Sequence, residues 1–220
     1  MTLEVINVET APNPTASIII LHGLGADGND FVPVAHELDL THVGPVRFVF
    51  PHGPTRPVTI NGGHVMRAWY DILGTDIARR EDEAGLRASQ ALVEALIAQE
   101  RARGIPASRI VLGGFSQGCA MTLVAGLRHS ERLAGLLGMS GYLPLADTTA
   151  AERNAANAGV PIFLAHGRSD PVIALARATA SRDALQALGY PVEWHDYPMP
   201  HSVCAQEIAD INRWLLKVLA

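Results

Sequence analysis

Residues 109–119 read Arg-Ile-Val-Leu-Gly-Gly-Phe-Ser-Gln-Gly-Cys. The apolar run Ile110-Val111-Leu112 ends in a glycine-rich turn that carries one serine. A helix-compatible stretch from Gln117 to Leu127 follows. A strand, a tight turn and a helix with Gly-x-Ser-x-Gly at the corner form the pattern called a nucleophile elbow. The chemistry accounts for the glycines. Ser116 must sit on a sharp turn so that its hydroxyl projects beyond the strand end, and side chains at Gly114 and Gly118 would collide with the crossing strand and helix. The helix that starts after the serine aims backbone N–H groups at developing negative charge. The bland alternative is a glycine-rich turn whose serine merely caps a helix.

The rest of the chain has room for the sheet that an elbow requires. Apolar, β-branched runs alternate with helical patterns along all 220 residues. Strands are expected at Leu3–Val8, Ser17–Leu21, Arg47–Phe50, Arg109–Leu112, Leu133–Met139, Val160–Ala165 and Val192–Tyr197. Helices are expected at Asp30–Leu38, Glu83–Arg103, Gln117–Leu127, Val172–Leu188 and Cys204–Leu219. Strands apolar on both faces and joined by helices predict an α/β fold with a mostly parallel sheet covered on both sides. Residues 1–220 are read as one domain, with no cap domain. The long connections 51–82 and 144–160 are left to shape an entrance, and 146–158 is read as an irregular surface excursion.

Composition removes several function classes. Hydrophobic residues make up 48% and the net charge is −5, without a basic patch. Nucleic-acid binding is therefore not expected. No apolar run approaches the roughly 18 residues of a membrane span, and residues 1–5 do not resemble a secretory leader. The two cysteines, Cys119 and Cys204, form no disulfide framework and read as buried thiols of a reducing, cytoplasmic protein.

A serine hydroxyl needs a base, and the base needs an orienting carboxylate. In elbow proteins these follow the nucleophile in the order acid, then histidine. The strand Val160–Ala165 runs into His166-Gly167-Arg168-Ser169-Asp170-Pro171, which nominates Asp170; its other reading is a helix N-cap. The strand Val192–Tyr197 runs into Pro198-Met199-Pro200-His201, which nominates His201. The chain has 9 histidines. His36 and His42 precede the elbow, His129 ends the elbow helix, His195 lies within a strand, and His166 reads as a structural residue of the turn. An oxyanion requires two donors. One is the N–H after the nucleophile, Gln117; the other comes from a glycine-rich loop after an earlier strand, here Leu24 within His22-Gly23-Leu24-Gly25.

Two other chemistries match parts of the sequence. Gly23-Leu24-Gly25-Ala26-Asp27-Gly28 matches the dinucleotide-binding pattern. That role needs a carboxylate at the next strand end, and Arg47–Phe50 is followed by Pro51-His52-Gly53 instead. His201 and Cys204 share an i, i+3 spacing that Cys119 could approach, but the sequence has no Cys-x-x-Cys pair and no His-Glu-x-x-His to make a metal site. No cofactor and no metal are expected.

The chain resembles the acyl-protein thioesterase and lysophospholipase-like carboxylesterases, the bacterial carboxylesterase II group of α/β-hydrolases. The likeness rests on His22–Phe31, Pro57–Asn61, Met66-Arg67-Ala68-Trp69-Tyr70-Asp71-Ile72, Gly113–Gly118, Met139–Pro144, His166-Gly167 with Asp170-Pro171, and His201-Ser202. It implies an α/β-hydrolase fold and cofactor-free hydrolysis of carboxylic esters or thioesters. The main expectation is a carboxylesterase acting on short- to medium-chain esters. The alternative is an acyl-protein thioesterase or lysophospholipase. Ser116, Asp170 and His201 match the family's triad, Leu24 and Gln117 its oxyanion donors, and Trp69 and Ile72 a loop beside its acyl pocket. Plain core packing is the other reading of Trp69. Members are often homodimers. Cys119 departs from the pattern, since the family usually has glycine there.

Overall fold

The computed structural model describes residues 3–74 and 81–220, so part of the connection 51–82 lies outside the described residues. Seven strands form one sheet: β1 (Val5–Glu9), β2 (Ala16–Leu21), β3 (Val46–Pro51), β6 (Ile110–Phe115), β7 (Gly135–Met139), β8 (Ile162–Gly167) and β9 (Val192–Tyr197). Their spatial order is β1-β3-β2-β6-β7-β8-β9. β1 runs antiparallel to β3, and every other pairing is parallel. The expected mostly parallel sheet is observed.

Period-two alternation sorts the central strands between two cores. Ile19 and Leu21 of β2, with Ile110 and Leu112 of β6, face one cluster. Ile18, Ile20 and Val111 face the other. The first core is covered by α2 (Glu83–Ala102), α3 (Gln117–Arg128) and α5 (Leu175–Ala187). The second is covered by α1 (Val32–Glu37) and α6 (Ala205–Val218), with Trp214 fully packed inside it. Both faces of these strands are dry, which is why their sequences are apolar without interruption.

The chain leaves β2 in one direction to reach β3 and returns to its other side at β6. The sheet order therefore reverses between β2 and β6, with Leu21 paired to Gly114. Loops at such a reversal diverge and leave a crevice at the strand ends. The Gly23–Gly28 loop and the elbow are the two loops at this point.

Three expectations needed correction. The connection after β3 holds a hairpin, β4 (Thr55–Val58) paired antiparallel to β5 (His64–Arg67), with Gly62 and Gly63 at positive φ in its turn. The stretch 146–158 is not irregular throughout. It contains the short helix α4 (Ala146–Glu152), anchored by the buried Thr149, whose hydroxyl donates to Leu145 O. α5 begins at Leu175 rather than Val172, because the Asp170 carboxylate captures the Val172 and Ile173 N–H groups in a turn of its own. Among the described residues no separate cap domain stands over the sheet.

Candidate active site

Ser116 joins β6 to α3 with φ 54° and ψ −115°, a conformation that a non-glycine residue adopts only when its surroundings impose it. The constraint is visible at Gly118, where an added Cβ would lie 2.0 Å from Leu21 O. α3 can start this close to β2 only if that position has no side chain.

The strand ends bring the three expected side chains together. His201 Nε2 lies 2.9 Å from Ser116 Oγ, and His201 Nδ1 lies 2.6 Å from Asp170 Oδ2. With Nδ1–H donating to the carboxylate, Nε2 is left to accept the serine proton. Asp170 is nearly buried, and its Oδ1 accepts the N–H groups of Val172 (2.8 Å) and Ile173 (2.9 Å). These bonds fix the carboxylate in orientation. The Phe115 ring packs against the imidazole, with centroids 4.8 Å apart. His166, buried behind the acid, donates from Nε2 to Ile173 O (2.8 Å) and sits 3.3 Å from Asp170 Oδ2.

The amide of Gln117 occupies the first turn of α3, where helical N–H groups lack intrahelical acceptors. Leu24 lies across the crevice in the loop after β2, and both residues line a cavity of about 230 Å³ with Ser116. The loop bearing Leu24 is braced from behind. His22 Nε2 accepts the Gly53 N–H at 2.9 Å, so its proton resides on Nδ1, which donates to Gly23 O at 2.7 Å. Burial lowers the His22 pKa and keeps the ring neutral.

The cavity beside Ser116 is lined by Leu24, Ile60, Tyr70, Ile72, Tyr142 and Ile173 among others. Ile72 lines this cavity. Trp69 does not: it is fully buried and absent from the cavity wall. Its indole N–H donates to His22 O at 2.9 Å, and its backbone N–H donates to Gln117 Oε1 at 2.7 Å. Trp69 therefore supports the loop and the elbow from beneath. Its neighbour Tyr70 lines the cavity instead.

Sequence reasoning missed Ile60, Tyr70, Tyr142 and Ile173 as wall residues, and the side chain of Gln117 as a clamp. The Gly62-Gly63 pair between Val58 and Val65 was the available hairpin signal that would have placed Ile60. A larger open groove of about 690 Å³ lies by Pro161, Pro191 and Trp214, at the opposite ends of the strands. It holds none of Ser116, Asp170 and His201.

Cys119 lies directly under the elbow and is buried. Burial pushes its thiol up to about 12, which leaves it protonated and inert. Its bulk is accepted because Gly138 and Gly141 face it; an added Cβ there would approach Sγ to 2.7 and 2.5 Å. Cys204 does not lie inside a helix. It is the half-buried N-cap residue of α6.

A seven-stranded, mostly parallel sheet with helices on both faces and a nucleophile elbow at its reversal point is an α/β-hydrolase. Residues 2–219 match the phospholipase/carboxylesterase family model, and the chain belongs to that family. It is 40% identical over 206 residues to acyl-protein thioesterase 1 of Yarrowia lipolytica, covering 91% of each chain. It is 41% identical over 214 residues to acyl-protein thioesterase 1 of Neurospora crassa, covering 93% of this chain and 87% of the relative. Among solved structures, acyl-protein thioesterase 2 of Zea mays superposes with TM-score 0.88 at 29% identity, covering 99% of both chains. The Bacillus cereus carboxylesterase, at 20% identity and TM-score 0.77, shares the fold. No described helix is long and apolar enough to cross a membrane.

Proposed function

We propose that the protein is a serine thioesterase that removes acyl groups from S-acylated proteins. The observation that carries this reading is the level of likeness, about 40% identity over nine-tenths of the chain, to relatives named acyl-protein thioesterase 1. The site geometry supports it, because every group the reaction needs is within reach. This replaces the short-chain carboxylesterase as the preferred reading, since the curated relatives point to thioesters.

Ser116 Oγ attacks the thioester carbonyl while His201 Nε2 takes its proton across the 2.9 Å contact. Asp170 stabilises the imidazolium that forms. The carbonyl oxygen becomes an oxyanion held by the Leu24 and Gln117 N–H groups, which are aimed before the charge appears. Collapse expels the cysteine thiolate, which His201 protonates. The acyl group stays on Ser116 with its chain in the apolar cavity. A water activated by His201 then releases the carboxylic acid and restores the serine. The thiol-bearing protein departs through the open side of the cleft.

The test is kcat/KM on a peptide S-octanoylated at cysteine against the same peptide O-octanoylated at serine. The expected result is at least about tenfold preference for the thioester, equal to roughly 1.4 kcal/mol of differential transition-state binding. Equal or reversed rates would return the carboxylesterase reading.

A further inference from the structure

Tyr142 is a wall of two spaces at once. One is the cavity beside Ser116. The other is a narrow internal pocket under the elbow, lined by Cys119, Leu123, Leu164, Ala178 and Trp194, with Tyr142 between it and the active site. The second space has room for only about 10 Å³ of solvent, around the lower limit for a single water. Its lining is mainly hydrocarbon, and the hydroxyl of its one serine, Ser181, is already engaged by the Leu143 N–H and Arg177 O, which suits an acyl chain better than a polar ligand.

The Tyr142 side chain is held at its hydroxyl and across its ring face. Its hydroxyl shares a hydrogen bond with the Tyr70 hydroxyl at 2.9 Å, in a buried setting. The Arg177 guanidinium lies over its face, 3.4 Å from the ring centroid, and pairs with Glu81 at 3.7 Å. Glu81 also accepts the Leu145 N–H at 2.7 Å, which ties this arrangement to the backbone just after Tyr142. A ring fixed in this way does not yield to a chain pressing on it from the active-site side.

We propose that Tyr142 is the residue that ends the acyl cavity and so sets the upper limit of acyl length, and that the pocket beside Cys119 is its blocked continuation. The proposal rests on the reading of the site as an acyl hydrolase. Short and medium chains fill the space up to the ring. Each further carbon finds no wall to contact unless the ring is removed, and then it enters the space that Ala178 borders from α5.

The experiment measures kcat/KM over acyl length, from butanoyl to hexadecanoyl, on monomeric p-nitrophenyl esters and on matched thioesters. The chains compared are wild type, Tyr142→Ala, Ala178→Leu and the double variant. In wild type the rate should rise over the first carbons and then level off. Tyr142→Ala should raise the dodecanoyl-to-hexanoyl ratio by about tenfold or more, the yield of burying two or three further methylenes. Ala178→Leu fills only the hidden pocket, so alone it should leave the ratio unchanged, while in the double variant it should restore the wild-type limit. Tyr142→Leu removes less of the wall and should shift the limit in the same direction by less, and it serves if the alanine variant does not fold. An unchanged ratio in both Tyr142 variants, or an extended range that Ala178→Leu does not reverse, overturns the proposal. The oxygen esters keep the two readings apart. Esters cleaved with no thioester cleaved would defeat the thioesterase assignment, while the length profile would still judge Tyr142.

Discussion

The Gln117 side chain is bonded to the backbone of Trp69 and of its neighbour Tyr70: its Oε1 accepts the Trp69 N–H at 2.7 Å, and its Nε2 donates to Tyr70 O at 2.8 Å. The residue that follows the nucleophile thus ties α3 to the segment forming one wall of the cavity. All these groups are buried, so neither the N–H nor the carbonyl has water to turn to. Gln117→Leu should leave both unpaired, at about 1–3 kcal/mol each. Urea unfolding should show that loss. kcat/KM should fall because Tyr70 and the wall are released, while a fluorophosphonate still labels Ser116. A variant as stable as wild type would deny the clamp.

Ser116→Ala should abolish fluorophosphonate labelling and lower kcat by about 10⁴- to 10⁶-fold, since triad members act as a unit. Asp170→Asn should keep the fold but lose about 10⁴-fold in kcat. The amide cannot both accept the Val172 and Ile173 N–H groups and hold His201 in the same tautomer. Labelling that persists in Ser116→Ala would remove the serine from its role.

Gly118→Ala should be among the most damaging single methyl additions in the chain. Its Cβ would fall 2.0 Å from a backbone oxygen of β2, and backbone cannot move aside as a flexible side chain does. Gly189→Ala makes a control. It also adds one methyl, at φ +86° with nothing within 4 Å, and should cost only about 1–2 kcal/mol. The check is soluble yield and melting temperature of the two variants side by side.

Glu207 makes part of the stability depend on pH. It is fully buried in α6, and burial, together with the nearby Asp210 charge, pushes its carboxyl from 4.5 up to about 8. Between these values the unfolded chain has released the proton and the folded chain still holds it. Stability contributed by this group is therefore full below about pH 4.5, falls as pH rises toward about 8, and levels off above. Glu152, held near 2 by Arg87 and Arg128, acts in the opposite sense but below this window. Glu207→Gln should remove this fall from the urea midpoint between those pH values, leaving the opposite-signed contribution of His22, whose pKa burial lowers. A slope unchanged from wild type would place the titrating group elsewhere.

The sequence by itself determined whatever is local along the chain. The elbow is one such feature, because a strand, two spaced glycines, a serine and a helix must all be contiguous to make that turn. The parallel sheet is another, since strands buried on both faces carry unbroken apolar runs. The positions of Asp170 and His201 followed from strand ends and chain order alone. What the tertiary structure decided is which face of a segment meets which neighbour. Trp69 and Tyr70 are adjacent large aromatics, and nothing local says which one packs under the elbow and which one faces the cavity. The Gln117 clamp helps decide it, by holding the Trp69 N–H on one side of the pair and the Tyr70 carbonyl on the other. Likewise α5 looked free to start at Val172 until the Asp170 carboxylate, oriented toward His201, took the amides that would have begun it. Tyr142 drew notice only as part of a family motif, and its place between two spaces depends on Tyr70, 72 residues earlier, and on Arg177 in α5. Contacts of this kind are set by how helices and strands pack in three dimensions, which the spacing of residues along one segment does not encode.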